Sequence, residues 1–182
     1  MPPRIRVYLA CSIDGYIAGP DGDLSWLSEP GGPAAGPTQA LEFGTFFAQI
    51  GAMLMGRQTH DVVANMGEWP YGDTPVLVAT HRPIDVAAPS VRAVSGTITE
   101  LIAEAKIAAG AADVYLDGGN LVRQALDARL VDEIVLTYIP ILLAGGISLF
   151  DGLTSRTKLE IVSQHRYGHM LQVTMRPRND GG

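Results

Sequence analysis

Two short stretches of this sequence have residue types suited to holding a phosphorylated ligand: Met55-Gly56-Arg57-Gln58-Thr59 and Leu116-Asp117-Gly118-Gly119-Asn120-Leu121. In each, an apolar, strand-like run ends in glycine and a helix-like run begins. A helix start leaves backbone N–H groups without partners and carries the positive end of the helix dipole, so both corners can face an anion. Glycine lets the backbone approach that anion closely, and Arg57 adds a charge-assisted donor. Either corner alone is as readily an ordinary turn; the two together suit a dinucleotide. Other nucleotide and hydrolase signatures are missing: there is no G-x-G-x-x-G, no Walker A Gly-Lys pair, no H-E-x-x-H and no G-x-S-x-G. His60, His165 and His169 show no metal-ligand spacing, and no metal is expected.

The elements that must position these corners follow from periodicity. Ile5, Val7 and Leu9 alternate with Arg6 and Tyr8, which predicts a strand over residues 4–10. Residues 15–36 carry most of the early Gly and Pro and read as a long loop. Phe43, Phe46, Phe47 and Ile50 have helical spacing, predicting a helix over about residues 38–50 that Gly51 ends. A strand over 52–55, a short helix opening at Gln58 and Thr59, and strands Val76–Ala79 and Val91–Val94 come next. Thr97 and Glu100 have capping-box spacing before a helix that stops at Gly110. A strand over 114–116 then leads to a fourth helix with Asn120 as its N-cap and Leu121, Val122, Ala125, Leu126 and Leu130 as its apolar face. The last strands, Glu133–Ile139, 158–165 and 170–176, have no helix between them and predict an antiparallel end. The expected fold is α/β: a mixed, mostly parallel sheet of about eight strands with flanking helices, in one domain over residues 1–182.

Composition narrows the function. Hydrophobic residues make up 47% and charged residues 18%, a globular balance. A net charge of −6 argues against a general nucleic-acid or anionic-membrane binder, which needs excess Lys and Arg. Cys11 is the single cysteine, so an internal disulfide and a cysteine metal cluster are both excluded. No apolar run approaches the ~20 residues of a membrane helix, and the start Met1-Pro2-Pro3-Arg4 lacks a signal-peptide core; a cytoplasmic protein is expected.

Four segments then occur in a recognisable order: Ser12-Ile13-Asp14-Gly15-Tyr16-Ile17-Ala18, Met55-Gly56-Arg57-Gln58-Thr59, Asp117-Gly118-Gly119 and Leu142-Leu143-Ala144-Gly145-Gly146-Ile147. Over residues 4–175 the chain resembles the dihydrofolate-reductase-like superfamily, in the branch of the riboflavin-biosynthesis pyrimidine reductases. The resemblance implies a dihydrofolate-reductase-like fold and NADPH as cofactor, with its phosphates at Gly56, Arg57, Gln58 and Thr59 and at Gly118, Gly119, Asn120, Leu121 and Val122. It implies a 2′-phosphate site at Thr80, His81 and Arg82, where Arg82 offers a bidentate donor and Thr80 a hydroxyl. Near the nicotinamide it places Ala10, Ile17 and Ala18. For substrate it points to Ser12, Asp14 and Trp26.

Asp14 is the candidate catalytic residue, orienting substrate or relaying a proton if partial burial raises its pKa; the Asp-Gly pair is equally a common turn. Where dihydrofolate reductases carry an acid early in the helix after the first loop, this chain reads Thr38-Gln39-Ala40-Leu41-Glu42-Phe43, so Glu42 is the nearest candidate. The zinc-binding deaminase that usually accompanies pyrimidine reductases has no counterpart in this sequence. The function implied is an NADPH-dependent reductase acting on a C=N bond of a small heterocyclic or ribosylaminopyrimidine-like substrate, assembled as a homodimer. The alternatives are dihydrofolate reductase activity through Glu42, or a non-catalytic nucleotide-binding or sequestering protein.

Overall fold

A computed structural model of the chain describes residues 1–28, 39–85 and 88–178. In chain order the elements are β1 (Ile5–Ser12), β2 (Tyr16–Ala18), α1 (Phe43–Phe47), β3 (Ile50–Gly56), α2 (Arg57–Ala64), β4 (Val76–Ala79) and β5 (Val91–Val94). They continue with α3 (Ile98–Ala109), β6 (Asp113–Asp117), α4 (Gly119–Asp127), β7 (Glu133–Ile139), β8 (Ile147–Ser148), β9 (Leu159–Tyr167) and β10 (Met170–Pro177). Eight strands form one sheet in the order β5-β4-β3-β6-β1-β7-β10-β9. It is parallel from β5 to β7, and β10 and β9 close it antiparallel, as the helix-free end of the sequence predicts. The short β2 and β8 pair with each other in a separate two-stranded sheet.

Strand alternation divides the core. On β3, Ala52 and Leu54 join one cluster while Met53 and Met55 join the other, and β6 splits Val114 and Leu116 from Tyr115 in the same way. The first cluster receives the apolar sides of α3 and α4, through Leu101, Ile102, Ala105, Leu121, Val122 and Leu126. The second holds Phe46 of α1 and Val63 of α2. At the N-terminal ends of β1 and β7, Arg6 donates from Nε to Glu133 Oε1 at 2.9 Å in a buried pair. Its guanidinium also lies 4.8 Å from the ring centre of Phe46.

Four expected assignments need correction. The helix expected over 38–50 is the five-residue α1; Thr38 lies outside the described residues, and Gln39 to Glu42 are not helical. The Leu41 carbonyl, which would accept a helical bond, instead accepts from Tyr8 Oη at 2.8 Å and Gln172 Nε2 at 3.0 Å. Gly51 does not end that helix: it lies inside β3, where a Cβ would fall 2.3 Å from the Ala109 carbonyl oxygen. Asn120 is not the N-cap of α4; Gly118 is, and Asn120 sits in the first turn, accepting from Gln124. Leu130 lies beyond the end of α4, although it packs on the same core. By contrast, α3 has its capping box, with Glu100 accepting the Thr97 N–H at 2.8 Å.

Candidate active site

Because β1 and β3 to β6 are parallel, their C-terminal ends share one side of the sheet, and a cavity of about 690 Å³ opens there. Open α/β sheets take ligands in this position, and the volume is in the range of small-molecule sites. Both glycine corners line it. They abut: a Cβ built on Gly118 would lie 3.0 Å from Thr59 Oγ1 and 3.6 Å from the Gly56 nitrogen. Gly118 has φ +98, a backbone that side chains disfavour, whereas Gly56 has φ −76 and a Cβ there would meet nothing within 4 Å. The cradle at Gly56 is therefore open.

Of the other residues expected at a cofactor, Ala10, Ile17, Arg57, Gln58, Thr80, His81, Gly119, Asn120 and Leu121 line this cavity. Arg57 is already engaged. Its Nε meets both carboxylate oxygens of Asp61 at 2.8 Å, and its Nη1 donates to the Pro83 carbonyl at 2.8 Å. That second bond ties α2 to the loop after β4. Arg82 and Val122 are not on the wall. Val122 is wholly buried in the core, because the helix turns it inward, and the Arg82 N–H donates to Thr80 Oγ1 at 3.1 Å within a tight local turn.

The substrate candidates are arranged differently from expectation, and none of Ser12, Asp14, Trp26 and Glu42 lines the cavity. Ser12 is buried, donating to Asp14 Oδ1 at 2.6 Å and accepting the Tyr16 N–H at 2.9 Å. The Asp14 carboxylate also accepts the N–H groups of Leu143 at 3.1 Å and Ala144 at 2.8 Å. The Ser12 hydroxyl first, and these backbone donors behind it, hold the Asp14 carboxyl below its ordinary pKa. The raised pKa that a proton relay requires is thus corrected: Asp14 is exposed and stabilised as an anion. Trp26 is 3% exposed and donates to the Asp23 carbonyl at 3.1 Å, anchoring its loop, while Leu24 and Leu27 face the cavity. Glu42 is the exposed residue before α1.

Two charged wall residues, Asp117 and Arg123, have no role in the sequence reading. Asp117 ends β6, lines the cavity and is 8% exposed. Burial pushes its carboxyl up to about 6, against opposing hydrogen bonds from the Gly118 backbone and the Tyr115 hydroxyl. Its signal was present, as a carboxylate directly before the Gly-Gly corner. Arg123 lies one turn beyond Gly119 on α4 and donates from Nη1 to the Ser148 carbonyl at 2.6 Å. A Cβ on Gly119 would meet that nitrogen at 3.1 Å, Ile17 Cδ1 at 3.2 Å and the Ser148 carbonyl at 3.2 Å. Gly119 is small because α4 packs against β2 and β8.

The family model described as "RibD C-terminal domain" matches residues 3–173. A Shewanella sp. PV-4 protein named for riboflavin biosynthesis is 31% identical, with a TM-score of 0.84 over 98% of this chain and 100% of that one. YwjB of Bacillus subtilis (strain 168), itself uncharacterized, is 29% identical over 95% of this chain and 97% of its own. The Thermotoga maritima deaminase/5-amino-6-(5-phosphoribosylamino)uracil reductase shares the fold, with a TM-score of 0.69 at 16% identity. This chain aligns over 97% of its length to 57% of that larger protein.

Proposed function

Since this chain belongs to the RibD C-terminal domain family, we propose that it is a reductase that takes its hydride from NADPH and reduces a C=N bond in a small heterocyclic or ribosylaminopyrimidine-like substrate. The observation that carries this reading is the contact between the two glycine corners at the rim of one cavity, with Gly118 against Thr59 and Gly56 beside an open cradle. Two adjoining helix starts suit the two phosphates of a dinucleotide. Bound NADPH would supply the hydride.

The chain's own residues bind, orient and hold a proton. The N–H groups at the starts of α2 and α4 receive the phosphates, and Arg57, fastened between Asp61 and Pro83, presents a rigid cation toward Thr80 and His81. Leu24, Leu27 and Ile17 give this cavity an apolar part of its wall. Reduction of C=N requires a proton at nitrogen, and Asp117 is the wall carboxyl that burial raises to about 6, so that it carries a proton below that pH and a fraction of one at neutrality. Glu42 lies off the wall, so the reading includes no acid of the dihydrofolate reductase kind.

The molecule acts as a cytoplasmic homodimer in this reading. The support is the sheet edge, where β9 exposes Leu159, Ile161 and Val162; a monomeric mass by light scattering contradicts it. The activity is tested by following NADPH oxidation with a panel of aminopyrimidine and pterin substrates. Turnover of an aminopyrimidine supports the proposal. Tight NADPH binding without hydride transfer to any substrate would favour a nucleotide-binding protein without catalysis.

A further inference from the structure

A second, smaller cavity of about 260 Å³ lies away from the first, between the end of α4 and the antiparallel edge of the sheet. We propose that it is an anion site that takes a phosphate group. Four cations line it, Arg129, Arg156, Lys158 and Arg178, and among the described residues no carboxylate does. The chain has 13 Lys and Arg in all and a net charge of −6, so the concentration is local and not a property of the surface at large. The floor is apolar, from Leu126 at 4% and Val131 at 6% exposure. The four side chains are exposed, so water screens their mutual repulsion, and what they offer an anion is several donors around one apolar floor.

The cations come from three separate elements that are fastened together. The Asp127 carboxylate accepts the N–H groups of Thr154 and Ser155 at 3.0–3.1 Å, which sets Arg156 next to the end of α4. The Arg178 N–H donates to the Lys158 carbonyl at 2.8 Å, joining the two strand ends. Lys158 and Arg178 have partners of their own. The proposal therefore leans on Arg129 and Arg156, which have no carboxylate partner among the described residues.

The end of α4 sets the position of Arg129. This residue follows α4 with φ +57, the left-handed conformation in which helices commonly end on glycine. A cation near a helix C-terminus is favourable by itself, and the left-handed backbone closes the helix end, where the Arg129 N–H donates to the Leu126 carbonyl at 3.0 Å and the Leu130 N–H to the Ala125 carbonyl at 2.8 Å; the helix end does not account for the approach of Arg156 from another loop.

The test titrates inorganic phosphate, pyrophosphate and ribose 5-phosphate into the protein while the amide resonances of Thr157 and Val131 are followed. These amides report the second cavity alone, so the result is independent of cofactor binding at the first. Saturable shifts at millimolar pyrophosphate, weakening with added salt, are expected. Arg156→Gln should weaken them roughly tenfold, the loss of one charge-assisted contact. Arg129→Gly should raise the thermal midpoint while lowering the affinity, which separates binding from folding. Shifts with ribose 5-phosphate as well assign the site to phosphomonoesters, and shifts with pyrophosphate alone to inorganic oligophosphates. No shift with any of the three, or shifts that survive both substitutions, overturn the proposal.

Discussion

Asp14 and Ala144 stand 130 positions apart, yet the Asp14 carboxylate accepts the Ala144 N–H at 2.8 Å. Ala144 has φ +58, an uncommon conformation for alanine, and the bond helps to hold it there. The same carboxylate takes the Leu143 N–H and the Ser12 hydroxyl, so one side chain pins the turn after β1 to the loop before β8. Ile17, Ala18 and Ile147, which flank this clamp, are cavity wall. Asp14 thus positions the wall, and the proton donor in the proposed reaction is Asp117.

The two carboxylates are separable by pH. Asp117 is held above its ordinary value, at about 6, so an acid role predicts a kcat/KM that falls as pH rises through about 6. Asp117→Asn should remove that limb. Asp14, held below its ordinary value, stays ionised across the neutral range, and Asp14→Asn should lower activity with the limb intact. Stability carries the matching signs. The Asp117 contribution is full below the unfolded carboxylate pKa and lost as pH rises through about 6, whereas the Asp14 contribution is present above the unfolded value and lost as pH falls through its lower folded one. Thermal melts of both variants from pH 4 to 8, on the order of ten points, check this; a pH limb that survives Asp117→Asn counts against its role.

The Gly118 corner should be intolerant of any side chain. At φ +98 an alanine costs about 1 kcal/mol or more, and its Cβ would press on Thr59 Oγ1. Gly118→Ala is expected to lower the unfolding free energy by at least that amount and to weaken NADPH binding. Gly119→Ala acts by another route, pushing Ile17, Arg123 and Ser148 apart, so its effect should be eased by shortening Ile17 to Ala. Denaturant melts and cofactor titrations on the single and double variants measure both effects.

Much of the fold was legible because its strands are short β-branched runs: Val76–Ala79, Val91–Val94 and Glu133–Ile139 have the bounds that periodicity predicts. α1 was overextended because its periodic phenylalanines say nothing of Tyr8 and Gln172, which claim the Leu41 carbonyl from far away in the chain. β2 and β8 are too short to show a period and exist through each other. At the site, the glycine corners were readable since a strand, a glycine and a helix must meet there. Side-chain direction in loops is not legible, which is why Arg82 and Trp26 read as ligand contacts; the roles of Asp117, at the end of β6, and Arg123, on α4, depend on burial and on a contact with Ser148 that no local pattern shows.

Cofactor preference should follow Arg57. Its Nη1 reaches the Pro83 carbonyl beside Thr80 and His81, while Arg82 is off the wall. Arg57→Ala is expected to cost NADPH on the order of 1.5–3 kcal/mol and NADH less, with Arg82→Ala nearly neutral. Fluorescence titration of both cofactors against both variants decides it, and the opposite ranking would return the role to Arg82.

The most direct measurement is NADPH affinity in Gly56→Leu. Position 56 has φ −76 and ψ 161, which any residue adopts, and a Cβ there meets nothing within 4 Å, so the variant should fold with an unchanged thermal midpoint. The added side chain fills the open cradle between the two corners. The account predicts saturable NADPH binding in the unsubstituted protein and its loss in this variant. A stably folded Gly56→Leu protein that binds NADPH as tightly as the parent would contradict it.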